Sequence, residues 1–84
     1  MSKLNAYLLQ TNEFRKYLNK PVLSLNNCAD RAVLAGNIDR ALSPENLSCD
    51  GELPRDEVQK RYEFLLAVVQ ELREIDPHIQ FSEV

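Results

Sequence analysis

Three side chains of this sequence are of the types that bind zinc or act as nucleophiles: Cys28, Cys49 and His78. Zinc sites usually hold such ligands in short motifs such as CxxC or HxxxH. A catalytic cysteine needs a histidine, an orienting group and an oxyanion site in contact with it. No such spacing groups these three residues, and no fourth ligand is indicated. We therefore interpret the cysteines as two buried or idle thiols, and we assign no metal, no cofactor and no catalytic residue.

Acidic side chains cluster around residues 45 to 57, where paired carboxylates could bind a cation or exchange protons. They are Glu45, Asp50, Glu52, Asp56 and Glu57. The run Asp50-Gly51-Glu52 lacks the alternating acids of a calcium-binding loop. Only two glycines occur, Gly36 and Gly51, so no glycine-rich phosphate loop exists. A solvated connector is the preferred interpretation of this acidic segment, and the protein is not predicted to be an enzyme.

The charge is distributed unevenly along the chain. The net charge of −3 gives no support for a general attraction to nucleic acid or to anionic membranes. Residues 1–42 carry six basic side chains against three acids, a balance of +3, and residues 43–84 carry four against ten, a balance of −6. We expect the halves to neutralise each other within the fold, and the alternative is a basic docking face. Its best candidate is the patch Arg15, Lys16 and Lys20, near Tyr17.

The strongest pattern in the sequence is structural. Val58, Tyr62, Leu65, Val69 and Leu72 recur at steps of four, three, four and three, so they lie on one side of a helix. Further apolar residues between positions 64 and 68 widen this side. We predict a helix over residues 54–75, whose apolar side must be covered by the rest of the chain or by a partner.

Two more helices are predicted. The first covers residues 3–19, with Ser2 as its N-cap. Its apolar stripe is Leu4, Tyr7, Thr11, Phe14 and Leu18. The second covers residues 27–42, with Asn27 as its N-cap. Gly36 and nearby small residues would let another helix approach closely, and a break at Gly36-Asn37 is the alternative.

The remaining segments are predicted to be connectors. Residues 21–25 form an extended connector packed on the core, and a single helical turn covers residues 43–47. The tail at residues 77–84 folds back on the bundle or lies on a partner.

With 84 residues, the chain is expected to form a single domain. We predict an all-α, three-helix up-down-up bundle with one long C-terminal helix. In that topology the acidic end of the long helix lies beside the basic end of the first helix. At this size, the free energy gained by burying apolar surface only slightly exceeds the cost in conformational entropy. This thin margin favours self-association.

The N-terminal residues run directly into a mixed polar and apolar segment, and no apolar stretch approaches the ~20 residues of a membrane span. We expect a cytoplasmic protein without a membrane segment and with both thiols reduced.

Residues 42–53, LSPENLSCDGEL, are followed by a charged amphipathic helix. This run resembles one found in short bacteriophage-encoded proteins of unassigned activity. The resemblance implies a viral or prophage setting, and it favours an adaptor or inhibitor that binds host or viral proteins.

The resulting hypothesis is a small non-enzymatic protein–protein interaction module, which binds another protein or itself as a homodimer. Tyr62, Phe64 and Val68 are the predicted contact residues, and the alternative is that they simply fill the core. The second hypothesis is a nucleic-acid-associated regulatory protein that uses Arg15, Lys16 and Lys20.

Overall fold

The computed structural model describes residues 2–84, and Met1 lies outside the described residues. The chain forms four helices, α1 (Lys3–Tyr17), α2 (Cys28–Leu42), α3 (Pro44–Leu47) and α4 (Arg55–Ile75), and the described part contains no strand. The all-helical prediction and the long C-terminal helix are confirmed. Helix α2 is continuous through Gly36-Asn37, so the predicted alternative of a break there is wrong.

Local hydrogen bonds explain where the first two helices begin and end. Ser2 Oγ accepts a bond from the Asn5 amide at 3.0 Å, and Asn27 Oδ1 accepts bonds from the amides of residues 29 and 30. Asn19 has a φ of 58°, a left-handed conformation that suits the position just after a helix. The Lys20 amide then bonds the Arg15 carbonyl at 2.8 Å. Helix α1 therefore ends two residues earlier than predicted. The left-handed conformation of Asn19 ends the helix before the chain reaches Pro21.

The core is built around one face of α4. Leu65, Val68, Val69 and Leu72 are all buried. They belong to one cluster with Leu4 of α1, Leu34, Ala35, Ile38 and Leu42 of α2, Leu47 of α3, and Leu23. The predicted apolar side of the long helix is thus covered by this chain, except that Tyr62 is 40% exposed.

The direction of the helices differs from the up-down-up prediction. The backbone amides of Lys3 and Leu4, at the start of α1, donate to the Glu71 carboxylate near the end of α4. Arg31, near the start of α2, pairs with Asp76 just after α4 at 3.1 Å. Helices α1 and α2 therefore both begin where α4 ends, and both run antiparallel to it. The up-down-up order, in which the first and last long helices are parallel, is not confirmed.

The segment between α1 and α2 makes this arrangement feasible. The Asn12 side chain bonds both the amide and the carbonyl of Leu23, at 2.8 and 3.0 Å, and Arg15 Nε donates to the Pro21 carbonyl. Residues 21–25 contain no helix or strand, and Leu23 enters the core. The predicted extended connector is confirmed, and it returns the chain along α1 to the end where α1 began.

The C-terminal tail folds back on the bundle, which was one of the two predicted alternatives. The amides of Ser82 and Glu83 donate to the Asp39 carboxylate at 2.9–3.1 Å. Ile79 and Phe81 pack against the core, and the Arg73 guanidinium lies 5.2 Å from the centre of the Phe81 ring. The side of α2 that carries small residues, such as Ala32 and Gly36, thus faces the tail and not another helix.

None of the helices in residues 2–84 is both long and apolar enough to cross a membrane.

Candidate functional site

The cysteines and the histidine do not form one site. Cys28 and His78 line a shallow cavity beside the tail, whereas Cys49 lies after α3, where its sulfur accepts a hydrogen bond from Arg61 at 3.4 Å. Both thiols are free and exposed, so the predicted alternative of buried thiols is wrong. Within residues 2–84, no three His, Cys, Asp or Glu side chains are grouped so that they could hold a metal ion.

The three predicted contact residues of α4 have different environments. Val68 is fully buried, with 0% exposure, Phe64 is half-buried against the core, and Tyr62 is 40% exposed. Val68 is therefore a core residue that a partner cannot reach in the folded chain, which corrects its assignment as a contact residue. The three side chains do not form one continuous exposed surface.

Exposed apolar side chains occur in several parts of the chain, among them Val33 of α2 and Ile75 of α4, and two that share one stripe lie at the end of α1. Leu4, at the start of the predicted stripe, is 2% exposed, and Tyr7 is half-buried. Farther along the same stripe, Phe14 is 63% exposed and Leu18 is 43% exposed. The stripe is longer than the core that covers it, so its last two turns are left open.

These open turns line one side of a groove of about 450 Å³, which we call the α1 groove. Tyr7, Thr11, Phe14 and Leu18 contribute the stripe, and Arg15 and Lys20 also line the groove. Asn37 of α2 lies across from them, and no residue of α4 takes part. The groove therefore lies mainly along α1, with one residue of α2 at its other side, and the core of the protein does not fill it.

The α1 groove is positively charged. In the part of the chain that the structure describes, ion pairs within 4.0 Å join Arg31 to Asp76 and Lys60 to Glu57, and none involves the basic residues of α1 or Lys20. Arg40 donates a hydrogen bond to Asn37, so another cation lies close to the lining. Among residues 2–84, the Arg31–Asp76 pair is the one ion pair between the basic and acidic halves of the chain, and the cations at the end of α1 have no carboxylate within that distance.

Tyr7 lies at the inner end of the groove. Burial raises the pKa of its phenol above the ordinary value, while a hydrogen bond with Thr11 and the positive charge of Arg40 act in the opposite direction. A phenol whose pKa is raised stays neutral at physiological pH. The groove thus offers apolar surface, cations and neutral hydroxyl and amide groups.

The basic patch that the sequence predicts for nucleic-acid binding lies partly at this groove. Of Arg15, Lys16 and Lys20, the first and the last line the groove. The exposure of Phe14 and Leu18 was missed, because periodicity places them on the buried side of α1. The sequence does carry one signal of this exposure. The apolar stripe of α1 is long, and the connector that follows it is too short to cover the whole stripe.

Comparison of the chain with protein-family models, with curated proteins and with solved structures finds no match in any of the three.

Proposed function

We propose that this chain is a small non-enzymatic protein–protein interaction module that binds its partner through the α1 groove. The observation that carries the proposal is the exposure of Phe14 and Leu18 at an open groove, in a chain whose longest helix, α4, has most of its apolar side covered. Full burial of a Phe or Leu side chain contributes about 1.5–3 kcal/mol. Covering these two residues therefore gives a partner a substantial part of the free energy of binding.

The partner in this proposal is a different protein. A two-fold symmetric dimer through the groove would place the same patch of both copies face to face. Since no acidic side chain among the described residues lines the groove, the cations of each copy would meet a positively charged surface, and like charges without counter-charges oppose association. A homodimer that forms through another surface of the chain stays a prediction. The charge of the groove favours a different protein as its partner.

The resemblance of residues 42–53 to a run in phage-encoded proteins gives the proposal a biological setting. We propose an adaptor or inhibitor that acts on host or viral proteins in a reducing cytoplasm. Such a setting would keep the exposed thiols of Cys28 and Cys49 reduced.

Nucleic-acid binding is the second candidate function. Tyr17 is 82% exposed beside the basic residues Arg15, Lys16 and Lys20, and exposed aromatic rings among cations can stack on bases. The overall charge of −3 and the apolar lining of the groove favour the protein partner.

Site-specific photo-cross-linking in bacterial cells tests the proposal. Benzoylphenylalanine is placed at position 17, beside the groove, or at position 62 on α4 as the matched control. We expect a discrete protein adduct from position 17 only. Excess wild-type chain should suppress this adduct, and a Leu18→Ser chain should not.

Two results would contradict the proposal. An adduct from position 62 and not from position 17 would show that the partner binds to α4 and not to the groove. Adducts with nucleic acid, or no competed adduct from either position, would exclude a protein partner at the groove.

A further inference from the structure

Resting on the proposed function, we infer that the α1 groove takes one face of an acidic amphipathic helix from the partner protein.

The shape of the groove fits a helix. Its apolar lining follows one stripe of α1 from Tyr7 to Leu18, a length of about 16 Å at about 1.5 Å per residue. On the opposite side, α2 contributes one lining residue, Asn37, so the groove is open and is formed mainly by α1. Apolar residues of a partner helix at positions i, i+3, i+4 and i+7 can pack along such an apolar stripe.

The charge of the groove selects an acidic helix. Arg15 and Lys20 line it together with the apolar residues, and no acidic side chain does. The backbone of Lys20 is fixed at this end of the groove, because its amide donates to the Arg15 carbonyl at 2.8 Å. Glu or Asp residues that flank the apolar face of a partner helix would meet these cations, whereas Lys or Arg there would be repelled.

The other occupants fit less well. A single-stranded nucleic acid would use the cations and the exposed Tyr17, but it would leave the apolar lining of Phe14 and Leu18 without a matching surface. A second copy of this chain in two-fold symmetry would bring cations together.

The test uses the full chain and three fluorescein-labelled peptides of about 18 residues. The acidic peptide has Leu at helical spacing and Glu elsewhere, the second peptide has the same composition in scrambled order, and the third has Lys in place of Glu. Binding is measured by fluorescence anisotropy. We expect the acidic helix to bind about tenfold or more tightly than either other peptide, and to weaken when salt is raised from about 50 to about 300 mM.

Two substitutions that change the charge equally distinguish an effect of the groove on binding from an effect of the overall surface charge. Lys20→Glu should weaken binding of the acidic peptide about tenfold, because it reverses a charge that lines the groove. Lys60→Glu on α4 should leave that binding within about twofold, because the Lys60 side chain is 72% exposed to solvent and outside the groove. Phe14→Ser should also abolish binding, and circular dichroism verifies that each variant is folded.

Several outcomes would overturn the inference. Two concern the peptides: the Lys peptide binds as tightly as the acidic peptide or more tightly, or the acidic peptide does not bind. Two concern the site: Lys60→Glu weakens binding as much as Lys20→Glu, or a single-stranded oligonucleotide displaces the acidic peptide. If the cross-link at position 17 persists while the acidic peptide fails, the proposed function stands and only this inference falls. If both fail, both are wrong.

Discussion

Gly36 lies in the middle of α2, where glycine costs a helix about 1 kcal/mol relative to alanine. The sequence suggested that it allows a close approach of another helix. In the structure, a Cβ atom at this position would meet only the flexible end of Arg40, at an ordinary 3.7 Å. The close-approach interpretation of Gly36 is therefore wrong.

We expect Gly36→Ala to raise the free energy of unfolding by about 0.5–1 kcal/mol, because it lowers the entropy of the unfolded chain without a clash. The control is Gly51→Ala, since Gly51 also has open space but a φ of 86° that disfavours a side chain. That variant should be destabilised. Urea denaturation measures both, and a destabilised Gly36→Ala would contradict the prediction.

Tyr7 gives the protein a pH dependence at high pH. Burial raises the pKa of its phenol in the folded chain above the value of about 10 in the unfolded chain. The unfolded state therefore loses its proton first as pH rises, so the stabilising contribution is complete below about pH 10 and is lost above it. We expect the free energy of unfolding to fall as the pH rises above about 10.

The Tyr7→Phe variant should show a smaller fall over the same pH range, because it has no phenol to ionise. Tyr17→Phe is the matched control, since Tyr17 is 82% exposed. Urea denaturation at several pH values gives the slopes. Equal slopes for wild type and Tyr7→Phe would show that Tyr7 is not the group responsible.

At the scale of helices, one carboxylate attaches α1 to α4. Glu71 accepts bonds from the amides of Lys3 and Leu4, which are among the unpaired donors at the start of α1. A negative charge at a helix N-terminus is also stabilised by the helix dipole. Glu71 lies near the C-terminal end of α4, where its charge is unfavourable for its own helix. The contact with α1 offsets that cost.

We expect Glu71→Gln to lower the free energy of unfolding by about 0.5–2 kcal/mol, because the charged cap of α1 is lost. Glu74→Gln removes the same charge one turn later in α4, and no bond from Glu74 to α1 is present among the described residues. It should be neutral or slightly stabilising. Thermal unfolding compares the two, and equal effects would indicate that Glu71 does not attach α1.

At the scale of the whole molecule, the structure separates residues that hold the fold from residues open to a partner. Val68 is fully buried at the centre of the core, whereas Phe14 is 63% exposed at the groove. The sequence alone placed both side chains on apolar helix faces. Substitution of the two residues should therefore change different properties of the protein.

We expect Val68→Ala to lower the free energy of unfolding by about 2 kcal/mol, since it leaves a cavity that the core fills only in part. Phe14→Ser should change it by about 0.5 kcal/mol or less, yet it should abolish binding at the groove. Denaturation and peptide binding are measured on both variants. A large loss of stability from Phe14→Ser would mean that Phe14 belongs to the core.

The sequence by itself determined the helices and most of their boundaries. Ser2, Asn27 and the spacing from Val58 to Leu72 act within a few residues, and such local effects are readable from the sequence. Only the tertiary structure decided the direction of α1 and the exposure of Phe14 and Leu18. Those features depend on contacts between distant positions, such as Leu4 with Glu71 and Asn12 with Leu23. Periodicity defines which residues share a helix face, but how far another element covers that face is set by packing between segments.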